Sequence, residues 1–201
     1  AERLADIMLE LQGRGCHNIN FVTPTHFSPS IVKAVGSAAA RGLRIPIVYN
    51  TSGYERVETL RLLDGIVDIY LPDVKYSDNS VAARLSGFTG YVEYNRTALK
   101  EMYRQVGKLK TRRGCAIRGM IIRHLILPGG LSGTPEAIRF IAEEISREVH
   151  ISLMDQYFPA YHAAHHETIS RRISEEEYQE ALEAFDTYGL HNGWIQDHFM
   201  E

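Results

Sequence analysis

The sequence predicts an α/β protein of parallel strands, a partial (β/α) barrel of the TIM type truncated at its N-terminus. Three observations lead there. Short apolar, β-branched runs alternate with amphipathic stretches along the 201 residues, an order that implies right-handed parallel crossovers. Neither a GxGxxG after a strand nor a P-loop occurs, which disfavours the nucleotide-binding open sheets. The residues that follow successive strands are unusually polar, as they are where loops converge on the reactive face of a barrel.

The elements follow in order. Leu4, Ile7, Met8 and Leu11 have the spacing of an amphipathic helix, which opens at Ala1-Glu2-Arg3 without a capping residue; helices prefer Ser, Thr, Asp or Asn there, so the chain is expected to be part of a longer protein. Residues 18–22 read as a buried strand, and Pro29 to Ala40 as a helix stopped near Gly42. Residues 45–49 form the second strand, with Pro46 at its entry, and Val57 to Leu63 a short helix before Asp64-Gly65. Ile66 to Leu71 is the third strand, and 81–106 is helical with an interruption near Gly87 and Gly90. Met120 to Leu127 is a β-branched fourth strand. Thr134-Pro135-Glu136 starts a helix reaching Ile145, with Thr134 as its capping hydroxyl. Residues 150–154 are the fifth strand. Ser174 to Glu177 fits a capping box for a helix that ends at Tyr188-Gly189, before a last short segment around Trp194-Ile195.

With 44% hydrophobic and 23% charged residues the chain suits a single globular domain, 1–201. A net charge of −3 from interspersed 22 basic and 25 acidic residues excludes a general nucleic-acid binder. Two cysteines, Cys16 and Cys115, in no CxxC arrangement, exclude a disulfide scaffold and a self-contained zinc site, and a reducing cytoplasm fits. They read as inert thiols. No apolar run approaches the roughly 20 residues of a membrane span.

The candidate pocket is assembled from strand ends. The first strand ends in Thr23-Pro24-Thr25-His26, hydroxyls and an imidazole that suit a zwitterionic or phosphate-bearing ligand, while Thr25 or Ser28 alternatively caps the next helix. The second ends in Asn50-Thr51-Ser52-Gly53. Asp73 and Lys75, two apart on an extended chain, project to one side and offer a carboxylate beside an ammonium; the alternatives are an ordinary ion pair or an imine-forming Lys75 in an aldolase-like barrel. Arg123 lies within an apolar strand, where its charge requires a pocket or a partner, and its neighbour His124 reads as structural. The fifth strand runs into Asp155-Gln156-Tyr157. Tyr161 to His166 holds three imidazoles but no matching carboxylate or cysteine, and reads as a solvated loop rather than a metal site.

Taken together, Thr23-Pro24-Thr25-His26-Phe27, Tyr49-Asn50-Thr51-Ser52-Gly53-Tyr54, Leu71-Pro72-Asp73-Val74-Lys75-Tyr76, Ile122-Arg123-His124-Leu125-Ile126-Leu127-Pro128-Gly129 and Gln156-Tyr157-Phe158-Pro159 resemble the pyruvate formate-lyase activating enzyme branch of radical S-adenosylmethionine proteins. The resemblance covers nearly the whole chain. It implies a partial barrel in which a CxxxCxxC loop binds a [4Fe-4S] cluster, and that loop, with the first strand, is expected before Ala1. It further implies S-adenosylmethionine as cofactor, cleaved to a 5′-deoxyadenosyl radical that abstracts hydrogen from a glycine of a glycyl-radical enzyme or from another substrate, and an electron donor such as flavodoxin or ferredoxin. The longer protein would then be a radical oxidoreductase, and this chain alone inactive.

By position, the resemblance places Thr23, Thr25 and His26 where the family has a Gly-Gly-Glu loop, and Asn50, with Ser52 beside it, where the activating enzyme has an aspartate. Asp73 and Lys75 match its Asp-x-Lys directly, toward the ribose hydroxyls and the carboxylate. Arg123 matches an arginine near the cofactor. Gln156, Tyr157 and Phe158 fall where the relative has Pro-Tyr-His beside the adenosyl group. No residue of this chain is assigned a catalytic or metal-binding role. A non-catalytic barrel module is the remaining alternative.

Overall fold

The computed structural model describes residues 1–195. The chain divides into two compact units, Ala1–Pro72 with Thr97–Met120, and Asp73–Arg96 with the chain from Ile121 onward.

The first unit begins with helix α1 (Glu2–Gly13), strand β1 (Ile19–Val22), α2 (Ser28–Ala40), β2 (Ile47–Thr51), α3 (Val57–Arg61) and the start of β3 (Ile69–Val74). The three strands are parallel, with Ile19 beside Ile47 and Val48 beside Ile69. The apolar stripe of α1 meets α2, so that Ala5, Met8, Ile31, Ala34 and Ala38 form one core with Ile19 and Ile47; small residues on both helices allow the close approach. β3 starts three residues later than its apolar run suggests, because Ile66 and Val67 donate back to the Leu63 carbonyl in a turn that Gly65 (φ 78°) permits. That shift draws Asp73 into the strand. β2 is displaced likewise, so Asn50 and Thr51 are strand residues and not loop residues.

The same unit holds the end of α5 (Tyr91–Val106) and a hairpin of β4 (Lys110–Arg112) with the start of β5 (Cys115–Leu125). The hairpin is antiparallel, an addition to the parallel pattern read from the sequence, and β5 begins five residues before its β-branched run. Its turn residues Arg113 and Gly114 both have positive φ, 53° and 80°, the signature of a two-residue turn matched to strand twist.

In the second unit the end of β5, β6 (His150–Met154) and β7 (Gly193–Ile195) are parallel, with Ile121–Leu125 of β5 in register with His150–Met154. Helices α4 (Asn79–Ser86), α6 (Thr134–Phe140) and α7 (Glu175–Tyr188) complete it. Ile122, Ile138, Ile151, Leu153, Tyr178 and Phe185 lie in its core. Gly87 closes α4 in the left-handed conformation, which is why the helical stretch from 81 breaks in two. The Ser174/Glu177 capping box forms as read.

Two capping assignments are corrected. Thr134 is not the cap of α6: Gly133 (φ 62°) takes that position, and the Thr134 hydroxyl turns inward to His124. Neither Thr25 nor Ser28 caps α2; Thr25 donates to Glu55 instead. The helix begun at Thr134 continues only as a wider turn over Ile141–Ile145. No helix among the described residues is long and apolar enough to cross a membrane.

Candidate functional site

The second unit contains a cavity of about 510 Å³ at the carboxyl ends of its strands, lined by Asp73, Lys75, Arg123, Leu125, Met154, Gln156, Tyr157, Phe158 and Ala160. Five of the residues singled out from the sequence therefore line one cavity: Asp73, Lys75 and Arg123 on one wall, Gln156 and Tyr157 facing them. Strand alternation puts Arg123 and Leu125 on the cavity side of β5 and His124 on the other.

Electrostatics organise this wall. Arg123 Nε and Nη2 both reach Asp73 Oδ1, at 2.7 and 2.5 Å, and Lys75 Nζ stands 3.4 Å from Oδ2. The Asp73 side chain is 11% exposed, Arg123 29% and Lys75 35%. Two cations on one carboxylate leave a net charge of one positive among these lining residues, which complements a ligand carboxylate. The remaining lining is mostly apolar or aromatic, the usual composition of a small-molecule site.

The backbone carrying this wall is pinned at three consecutive residues. Asn95 Nδ2 donates to the Asp73 carbonyl at 2.9 Å, His124 Nδ1 to the Val74 carbonyl at 2.8 Å, and the Lys75 N–H to the Tyr91 hydroxyl at 2.9 Å. Tyr91 and Asn95 were not legible as site residues, because they lie on a helix whose apolar stripe accounts for its pattern. His124 is structural, as expected: it is fully buried, its Nε2 accepts from the Thr134 hydroxyl at 2.9 Å, and burial pushes it down to about 4, against the support of the Val74 carbonyl.

On the far wall Tyr157 donates to the Ile169 carbonyl at 2.8 Å. Burial, then the neighbouring Tyr76, pushes its hydroxyl up. Gln156 is exposed and its amide rests 3.4 Å from the Met154 sulfur. Phe158 is 62% exposed, with the Arg172 guanidinium 5.6 Å over its ring.

The other sequence candidates lie in the first unit. Thr23 and His26 are exposed after β1, Ser52 is half-buried, and Asn50 is buried within β2. Thr25 belongs to a polar cluster that sequence reasoning missed. Glu55, buried at 3% exposure, accepts at Oε1 from Thr25 and Thr51 hydroxyls at 2.6 Å each and from Tyr49 at 3.3 Å. Burial foremost, and the Glu55 charge next, push the Tyr49 hydroxyl up to about 12. Glu55 looks in sequence like an ordinary acid ahead of a helix. Cys16 and Cys115 are half-buried free thiols.

A parallel α/β chain with a cationic, partly apolar pocket at its strand ends is thus the class that fold and site define. No family model matches the chain. It is 34% identical over 179 residues to an uncharacterized protein of Methanocaldococcus jannaschii, an alignment covering 86% of this chain and 47% of that protein. The chain therefore spans about half the length of the curated relative it matches. Its fold matches the crystal structure of a domain of pyruvate-formate lyase-activating enzyme from Bacteroides vulgatus, with a TM-score of 0.61 over 90% of this chain and 98% of the other, at 17% identity. That likeness extends to the fold, a parallel α/β arrangement of the partial-barrel kind.

Proposed function

We propose that this chain forms the S-adenosylmethionine-binding part of a radical S-adenosylmethionine protein of the activating-enzyme type. The observation that carries the reading is the Asp73 carboxylate held between Arg123 and Lys75 in the wall of a cavity of about 510 Å³. The residues present suit that cofactor: Lys75 and Arg123 offer the surplus positive charge for its carboxylate, Asp73 an acceptor for hydroxyl or ammonium donors, and Leu125, Met154 and Tyr157 an apolar wall for the adenosyl end. When bound, the cofactor supplies the adenosyl group used for hydrogen abstraction. The chain's own residues bind, orient and partly shield it.

A [4Fe-4S] cluster does not suit the residues present. Such clusters are held by cysteine thiolates; the chain has two cysteines, and among the described residues no group of three or more His, Cys, Asp or Glu side chains could hold a metal ion. In our reading the ligands lie elsewhere in the whole protein. Hydrogen abstraction, a glycyl-radical enzyme or other protein substrate, and a flavodoxin- or ferredoxin-type donor all belong to that whole protein.

Equilibrium dialysis of the purified chain against radiolabelled S-adenosylmethionine tests the reading. Saturable binding that Asp73→Asn and Lys75→Met each weaken is expected; no binding, or binding indifferent to both changes, would sink it. Borohydride trapping of a carbonyl compound on Lys75 would favour the imine-forming alternative, which must first release Lys75 from its ion pair with Asp73.

A further inference from the structure

The hairpin of β4 and β5 concentrates positive charge that the chain as a whole does not carry. Lys108, Lys110, Arg112 and Arg113 fall within six consecutive residues, and all are exposed. Among the described residues, Lys110, Arg112 and Arg113 take part in no ion pair. The whole chain has 22 basic and 25 acidic residues; without these four cations it has 18 basic and 25 acidic, a balance of −7. The hairpin is a local reversal of the molecule's sign.

Two features of its construction run against stability. Arg113 occupies the left-handed region at φ 53°, at a turn position that Asn, Asp or Gly fills with less strain. Lys110, Arg112 and Arg113, like charges without an ion pair among the described residues, lie within four residues of one another, where neighbouring acids would have relieved them. Local rules broken with no compensating contact point to function.

The base of the hairpin is held firmly. Arg118 Nη2 donates to the Gln105 carbonyl at 2.6 Å, at the end of α5. The Gly119 N–H donates to the Asp68 carbonyl at 2.9 Å and the Met120 N–H to the Gly107 carbonyl at 3.1 Å. Gly119, at φ 124°, passes so close to Leu109 that a Cβ would lie 2.5 Å from its Cα. The cationic tip is thus presented on a rigid support, which limits the ordering cost of binding.

We infer that this hairpin is a docking surface for the acidic face of a partner protein. A three-residue strand spans about 10 Å, near one Debye length at moderate ionic strength, so its charges act together on one compact acidic patch. The acidic balance of the remaining chain repels an extended polyanion such as RNA laid across the surface. Aromatic residues for base stacking are absent from 107–119.

The test uses the full chain and a fluorescent oligoglutamate peptide, with single-stranded RNA and anionic lipid vesicles as competitors. Binding that weakens with salt is expected, roughly tenfold weaker in K110Q/R112Q/R113Q and unchanged in K33Q/R44Q/R56Q, which removes the same charge from other exposed positions. Thermal melts confirm that both variants fold. Equal weakening in the two variants would reduce the effect to net charge, and tighter binding of RNA or vesicles would assign the surface to a different partner. Absent peptide binding, with aggregation of the hairpin variant, would leave the cations the role of guarding an edge strand. Each of these three outcomes overturns the inference.

Discussion

Arg123 grips a single oxygen of Asp73 with two nitrogens, although 50 residues separate them, and thereby leaves the second oxygen to Lys75. The asymmetry lets one carboxylate hold both cations of the cavity wall. On the proposed reading, Arg123→Lys, which cannot place two donors on one oxygen, should weaken S-adenosylmethionine binding by roughly tenfold, because charge-assisted hydrogen bonds contribute about 1.5–3 kcal/mol. Dialysis with labelled cofactor measures it, and unchanged affinity would separate Arg123 from the binding role.

His124 makes stability depend on pH. Its ring is held at about 4, below the ordinary 6.5, so the unfolded chain binds the proton first. Stability should therefore fall as pH drops from 6.5 toward 4, by at most about 1.4 kcal/mol per unit, and level off below. Urea unfolding across that window should show a shallower decline for His124→Gln. An equal slope in both proteins would assign the dependence to other groups.

Glu177 ties three segments together. It pairs with Arg171 through both oxygens, at 2.7 and 2.8 Å, and accepts from the N–H groups of Gly129 and Ser174 at 2.6 and 2.8 Å. Arg171 first among these contacts holds its carboxyl at about 2 against the ordinary 4.5. The stabilisation is complete above 4.5 and is lost as pH falls toward 2. Glu177→Ala should cost about 1–3 kcal/mol at neutral pH, read from the denaturation midpoint.

Gly119→Ala should destabilise the chain by more than about 2 kcal/mol, since the added methyl meets the Leu109 and Lys108 backbone at 2.5 and 2.6 Å and the φ of 124° already excludes most side chains. Gly114→Ala, at φ 80° with nothing within 4 Å, should cost less. Parallel thermal melts compare the two.

Glu55→Gln should bring Tyr49 down from about 12 toward the ordinary 10, although not all the way, because burial outweighs the Glu55 charge. Absorbance titration of tyrosinate resolves the shift. No movement would mean that burial alone sets it.

Much of this protein is local and was readable as such. Alternating apolar runs specified parallel strands and helices, Gly87 and Gly189 marked helix ends, and the spacing of Asp73 and Lys75 brought their charges together at the end of a strand. These features depend on residues within a turn or a strand pitch of one another. The shifted start of β3 was not readable, because an apolar Ile66-Val67 suits a turn beneath a core as well as it suits a strand.

What only the tertiary structure decided are the long-range partnerships: Arg123 with Asp73, Glu55 with Thr25 across 30 residues, Tyr91 and Asn95 bracing β3, and Thr134 spent on His124 instead of on its own helix. Each settles how a buried or half-buried polar group is satisfied. Such a group must find a partner, but the cost of leaving it unpaired is the same wherever along the chain that partner comes from, so the sequence can pose the requirement and only the folded packing answers it.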